Sequence, residues 1–126
     1  MATPTITEHQ TRSDRHTTHY LACGPADGTP VIFVHGWPEL GLSYRHQIAP
    51  LAAAGYTVAV PDMRGYGGSS KPDDVSAYSI DTHADDMAAI AAALGHKRWV
   101  SVGHDWGSPV AWRVAGAKVA ETWAPV

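Results

Sequence analysis

Five residues near the C-terminal end, Gly103-His104-Asp105-Trp106-Gly107, constrain the fold of this chain more than any other feature. They form a G-x-D-x-G pattern between Arg98-Trp99-Val100-Ser101-Val102, which reads as a buried strand, and Ser108 to Ala117, which reads as the start of a helix. A strand-to-helix turn this tight strains its central residue and tolerates only small neighbours, hence Gly103 and Gly107. The side chain of Asp105 is therefore expected to stand free above the sheet, with the helix N-terminus beneath it. Backbone N–H groups and the helix dipole there keep a carboxylate ionised.

The pattern is that of a nucleophile elbow with aspartate in the place of serine, and the substitution narrows the chemistry. A serine attacking a saturated carbon leaves an ether that water does not readily cleave. A carboxylate leaves an ester whose carbonyl is open to a second attack. The implied substrate reacts at an sp3 carbon. Taken alone, the pentapeptide also fits an aspartate that merely caps a helix.

Two further motifs stand in order before it. Val31-Ile32-Phe33-Val34 opens into His35-Gly36-Trp37-Pro38-Glu39, and Thr57-Val58-Ala59-Val60 opens into Pro61-Asp62-Met63-Arg64-Gly65-Tyr66-Gly67-Gly68-Ser69-Ser70. Each motif sits at the C-terminal end of a predicted parallel strand, where ligand sites of open α/β sheets gather. From about His19 to about Val114, these residues closely resemble the epoxide hydrolase branch of the α/β-hydrolase fold, which also includes haloalkane dehalogenase-like enzymes.

The resemblance implies roles residue by residue. Asp105 matches the nucleophile, and the backbone N–H groups of Trp106 and Trp37 match the oxyanion hole that would hold an ester carbonyl. Trp37-Pro38 matches a bond that is commonly cis in relatives. His35 is expected to be buried and to brace the turn, with Gly36, Gly103, His104 and Gly107 supporting it. Arg64 and Tyr66 match a loop packed under the site, although their composition fits a solvated turn equally well. The implied reaction opens an epoxide through an alkyl-enzyme ester that is hydrolysed to a diol. The alternative is a haloalkane dehalogenase-like reaction with the Trp106 indole holding the halide. Those relatives usually carry asparagine where Trp37 stands, which favours the epoxide.

Composition excludes several other classes. Hydrophobic residues make up 44% of the chain and charged residues 17%, enough for a core, and a net charge of −3 gives no basic footprint for nucleic acid. Gly65-x-Gly67-Gly68 lacks the third glycine of a dinucleotide fingerprint, and no phosphate loop is present, so no cofactor is expected. The eight histidines include no metal-binding spacing, and His16-x-x-His19 falls in a polar leader. Trp99, Trp112 and Trp123 are expected in the core. One cysteine, no apolar leader and no run of transmembrane length point to a cytoplasmic protein with no membrane partner.

The fold expected is the N-terminal part of an α/β-hydrolase sheet, mostly parallel strands with helices on both faces, truncated after the helix that follows Asp105. Strands are predicted at Tyr20 to Cys23, Val31 to His35 and Thr57 to Val60, with helices from Leu42 to Ala54 and from Ile80 to Leu94, each ending at a glycine. Residues 1–126 then form a single partial domain, with residues 1–18 a poorly ordered arm carrying at most one edge strand around Ile6. Residues 115–126 depart from the family pattern, with no clear strand after the helix.

Full-length relatives continue through a lid with ring-polarising tyrosines, an acidic residue and a water-activating histidine. This chain ends at Val126, with no histidine where the family's belongs. A catalytically silent fragment is thus the non-enzyme alternative. The strand before Asp105 would be left with an unpaired apolar edge, inviting a dimer or a complementing C-terminal fragment.

Overall fold

The apolar runs become the centre of a twisted α/β sheet. The computed structural model describes residues 5–13, 16–115 and 124–125. Its strands are β1 (Thr7–Ser13), β2 (His16–Cys23), β3 (Pro30–Val34), β4 (Thr57–Pro61), β5 (Val100–Gly103) and β6 (Ala124–Pro125). They are ordered β1-β2-β4-β3-β5-β6. β1, β2 and β4 pair antiparallel, and β4, β3, β5 and β6 pair parallel. The helices among the described residues are α1 (Arg45–Ala53), α2 (Ile80–Ala93) and α3 (Gly107–Arg113).

Every residue of β3 and β4 is buried, because helices cover both faces of the sheet. Alternation divides their side chains. Ile32, Val34 and Ala59 pack with Ala84, Met87, Ile90 and Ala91 of α2 and with Val110 of α3. Val31, Phe33, Val58 and Val60 pack with Ile48 and Ala52 of α1. The chain therefore leaves β3 toward one face and β5 toward the other, although the two strands are neighbours. That divergence opens a crevice above their C-terminal ends.

Local signals account for the helices. The Ser79 hydroxyl caps α2 by accepting from the Thr82 amide, and Asp81 adds an acidic group to the first turn. α1 is shorter than the predicted Leu42 to Ala54, since Gly41–Tyr44 forms a 3-10 turn before it. At the base of α3, a Cβ on Gly107 would lie 2.0 Å from the Val34 carbonyl oxygen. Backbone on both sides cannot give way, so Gly107→Ala is expected to cost about 2–3 kcal/mol. Urea unfolding of the variant checks this, and a midpoint equal to wild type would contradict the close approach.

Three expectations are corrected. The arm expected to be poorly ordered forms the β1–β2 hairpin, with Thr7 opposite Ala22 and Ser13 opposite His16. Its period-2 pattern is carried by polar residues: Thr18, Tyr20 and Ala22 are buried while Thr17, His19 and Leu21 are less so. The expectation of no strand after α3 is overturned by β6, where Ala124 and Pro125 pair with Val100 and Ser101 and so cover the first half of the β5 edge. Trp112, expected in the core, lies exposed on α3, whereas Trp99 is buried with its indole N–H on the Ser101 hydroxyl at 3.1 Å. Trp123 lies outside the described residues. Among the described residues no helix is long and apolar enough to cross a membrane.

Candidate active site

The loops after β3, β4 and β5 bring Trp37, Asp62 and Asp105 to the same end of adjacent parallel strands. Asp105 has φ of 56°, in the left-handed region that costs a non-glycine residue free energy. The turn leaves its carboxylate exposed, and Oδ2 accepts the Trp37 N–H at 3.0 Å. The Trp37 amide, then the Trp106 amide, hold the Asp105 carboxyl below the usual carboxylate range, and His104 adds to the effect. The carboxylate is therefore charged at neutral pH. Gly36 is needed for the approach of the two loops, since a Cβ there would lie 2.4 Å from the Asp105 Cβ.

His35 is fully buried and ties the loops together. Its Nε2 lies 2.9 Å from the Met63 N–H, so it must accept, which leaves the proton on Nδ1 to be donated to the Gly36 carbonyl at 2.9 Å. Both ring nitrogens are used, and Tyr66 packs edge-on at 4.9 Å. The Trp37-Pro38 bond is cis.

The side chain of Arg64 is buried, so the solvated-turn alternative is excluded. Its Nε and Nη2 donate to the two Asp86 carboxylate oxygens at 2.8 Å each, and Nη1 donates to the Ala77 carbonyl at 2.9 Å. Asp62 organises the same loop: its Oδ1 accepts from the Gly41 amide at 2.9 Å and its Oδ2 from Gly68 at 3.0 Å. His104 is exposed, with Nδ1 3.3 Å from Glu39 Oε1, which also accepts the Gly36 amide at 3.3 Å. A cleft of about 510 Å³ opens beside the turn, lined by Trp37, Trp106, Tyr66, Tyr78, His83 and Val110 among others.

Sequence reasoning missed Glu39, Asp86 and His83. The signal for the last two was present, since they interrupt the apolar stripe of α2 near Ala84 and Met87.

Burial lowers the pKa of His16, His35 and His83 from their ordinary value. The unfolded chain takes up protons on these rings near pH 6.5 while the folded chain does not, so it binds more protons below that pH. Stability is accordingly expected to fall as pH is lowered from 7.5 to 5.5. Urea midpoints across that range check the sign, and a midpoint that rises toward pH 5.5 would refute it.

A strand-turn-helix that holds an ionised, strained carboxylate against the amide of a neighbouring loop defines a hydrolase-like site on a doubly covered sheet. The α/β hydrolase fold model matches residues 29–121, and the chain belongs to that family. Proteins it is similar to include epoxide hydrolases. It is 51% identical over 86 residues to Epoxide hydrolase A of Mycobacterium tuberculosis, covering 68% of this chain and 27% of that protein. It is 40% identical over 102 residues to AB hydrolase superfamily protein YfhM of Bacillus subtilis, covering 81% of this chain and 36% of that one. The crystal structure of Epoxide Hydrolase A from Mycobacterium thermoresistibile superposes with a TM-score of 0.91 at 36% identity, over 96% of this chain and 38% of that one. The chain thus spans between about a quarter and two fifths of these relatives' length.

Proposed function

We propose that this protein acts on epoxides, with Asp105 as the nucleophile, and that it works in the cytoplasm. The observation that carries the reading is the Trp37 amide on Asp105 Oδ2 at 3.0 Å, with the aspartate held at positive φ. That contact distinguishes the two carboxylate oxygens. Oδ1 attacks an oxirane carbon, the ring C–O bond breaks, and its electron pair stays on the ring oxygen, which takes up a proton from solvent water. Oδ2 becomes the carbonyl oxygen of the resulting ester, already on an amide donor.

The second step needs a base to take a proton from water, and is therefore the slow one here: water adds to the ester carbonyl carbon. The charge that develops on Oδ2 is met by the Trp37 and Trp106 amides, a kind of preorganised stabilisation that typically matters most for acyl chemistry. Collapse releases the diol and restores the carboxylate. His35 serves as a brace in this scheme, because neither of its nitrogens is free to take a proton from water.

The test is incubation of the purified chain with a terminal epoxide, followed by intact-mass and peptide mass spectrometry. A mass increase equal to the whole epoxide, mapped to Asp105, is the expected result. Modification spread over other carboxylates, with Asp105 untouched, would refute the reading.

A further inference from the structure

The cleft beside Asp105 is walled largely by apolar and aromatic groups, with Arg64 and His83 the exceptions, and the Arg64 guanidinium is committed to Asp86 and the Ala77 carbonyl. His83 sits on α2 at 8% exposure and lines the cleft, flanked by Tyr78 with ring centroids 6.3 Å apart. Its Nδ1 is buried and has no hydrogen-bond partner among the described residues. Nε2 also makes no hydrogen bond there but is not among the buried unpartnered atoms, so this nitrogen is the one left open. A buried N–H without an acceptor is rarer and costlier than a buried acceptor without a donor. The neutral ring therefore carries its proton on Nε2, the open nitrogen of a ring that lines the cleft.

We propose that His83 is a specificity-determining residue, whose Nε2–H donates a hydrogen bond to an acceptor oxygen on the substrate beyond its reacting carbon. The proposal rests on the cleft being the substrate site of the proposed function. The substrate class it selects is an epoxide whose chain carries an ether, hydroxyl or carbonyl oxygen, over a plain alkyl epoxide of the same length. Burial lowers the His83 pKa, with Asp86 opposing and Arg64, His16 and His35 reinforcing the shift, so the ring stays a neutral donor at pH 7. The groups facing it leave it otherwise uncommitted: Asp86 is taken up by Arg64, and Tyr78 donates its hydroxyl to the Pro72 carbonyl at 2.6 Å.

The probes are two unreactive diols that differ by one oxygen, 3-butoxy-1,2-propanediol and 1,2-octanediol, titrated by the fluorescence of Trp37 and Trp106 at the cleft. Wild type is compared with His83→Leu, which removes the donor, and His83→Gln, which keeps one. The affinity ratio of ether to alkyl diol is expected to fall in His83→Leu by on the order of three- to tenfold, the share of one neutral hydrogen bond. It should recover in His83→Gln. An unchanged ratio in His83→Leu, or equal losses in both variants, would overturn the proposal.

Should His83→Leu fail to fold, the imidazole 15N signals of wild type give the answer. A shift of His83 Nε2 with the ether diol, absent with octanediol, supports the proposal, and equal shifts or none overturn it. Because the diols do not react, a preference that appears without labelling of Asp105 sinks the proposed reaction and leaves this inference standing. Labelling of Asp105 without the preference does the reverse.

Discussion

Asp105→Ala is expected to abolish covalent labelling by epoxide, and in the wild-type chain the labelled species is expected to accumulate and persist. Formation of the ester asks only for an ionised carboxylate in an accessible turn, and Asp105 is held ionised by the Trp37 and Trp106 amides. Hydrolysis asks for a base beside the new ester. Among the described histidines near the turn, His35 has both nitrogens engaged, and His104 has Nδ1 against Glu39. Neither is placed to activate water, and His83, with its proton on Nε2, presents a donor and not a base to the cleft. The measurements are the time course of adduct mass after removal of excess epoxide, and chloride release from a chloroalkane assayed in parallel with diol formation from the epoxide. Sustained diol production that disappears in Asp105→Ala would show that a base is at work, with the His104–Glu39 pair the first to examine by His104→Gln. Chloride release in place of diol would move the reaction to the dehalogenase side.

The same turn sets function against stability. A non-glycine residue at φ of 56° is strained, so Asp105→Gly is expected to raise the melting temperature while labelling is lost. Asp105→Ala keeps the strain and brings no such gain. Comparing the two variants separates the backbone contribution from the loss of the carboxylate.

The sequence was most readable where patterns are local. The runs in β3 and β4, the glycines around Asp105 and the order of the loops follow from neighbours within a few residues, and in the structure the carboxylate meets the Trp37 amide. The hairpin was obscured because Thr18 and Tyr20 carry its buried face with polar side chains, which hydrophobic periodicity does not register. The support of the site was less legible still. His104 meets Glu39 across 65 residues, and Arg64 meets Asp86 across 22. Each residue alone looks like an ordinary surface charge, and only folding reveals the partner. Trp112 failed in the opposite way, since an indole on a short helix was assigned to the core by its apolarity alone and the helix turns it outward.

Asp86→Ala is expected to be among the most destabilising single substitutions away from the turn, at about 3–5 kcal/mol, because it leaves the Arg64 guanidinium buried without its countercharge. The fork geometry makes the pair specific: two donors meet two carboxylate oxygens at 2.8 Å, with side chains only 8% and 6% exposed. The reciprocal Arg64→Ala strands the Asp86 carboxylate, with the His16 and His83 rings, both held toward the neutral form by burial, left near it. The double variant Arg64→Met/Asp86→Leu removes both charges and should recover much of the loss, since a buried ion pair often gains little over well-packed apolar groups. Recovery should stay incomplete, because the Ala77 carbonyl loses the donor that Arg64 supplies. Urea unfolding of wild type, Arg64→Met, Asp86→Leu and the double variant gives the coupling energy directly. Single variants within about 1 kcal/mol of wild type would mean that water reaches the pair and that it does not anchor α2 to the loop beneath the site.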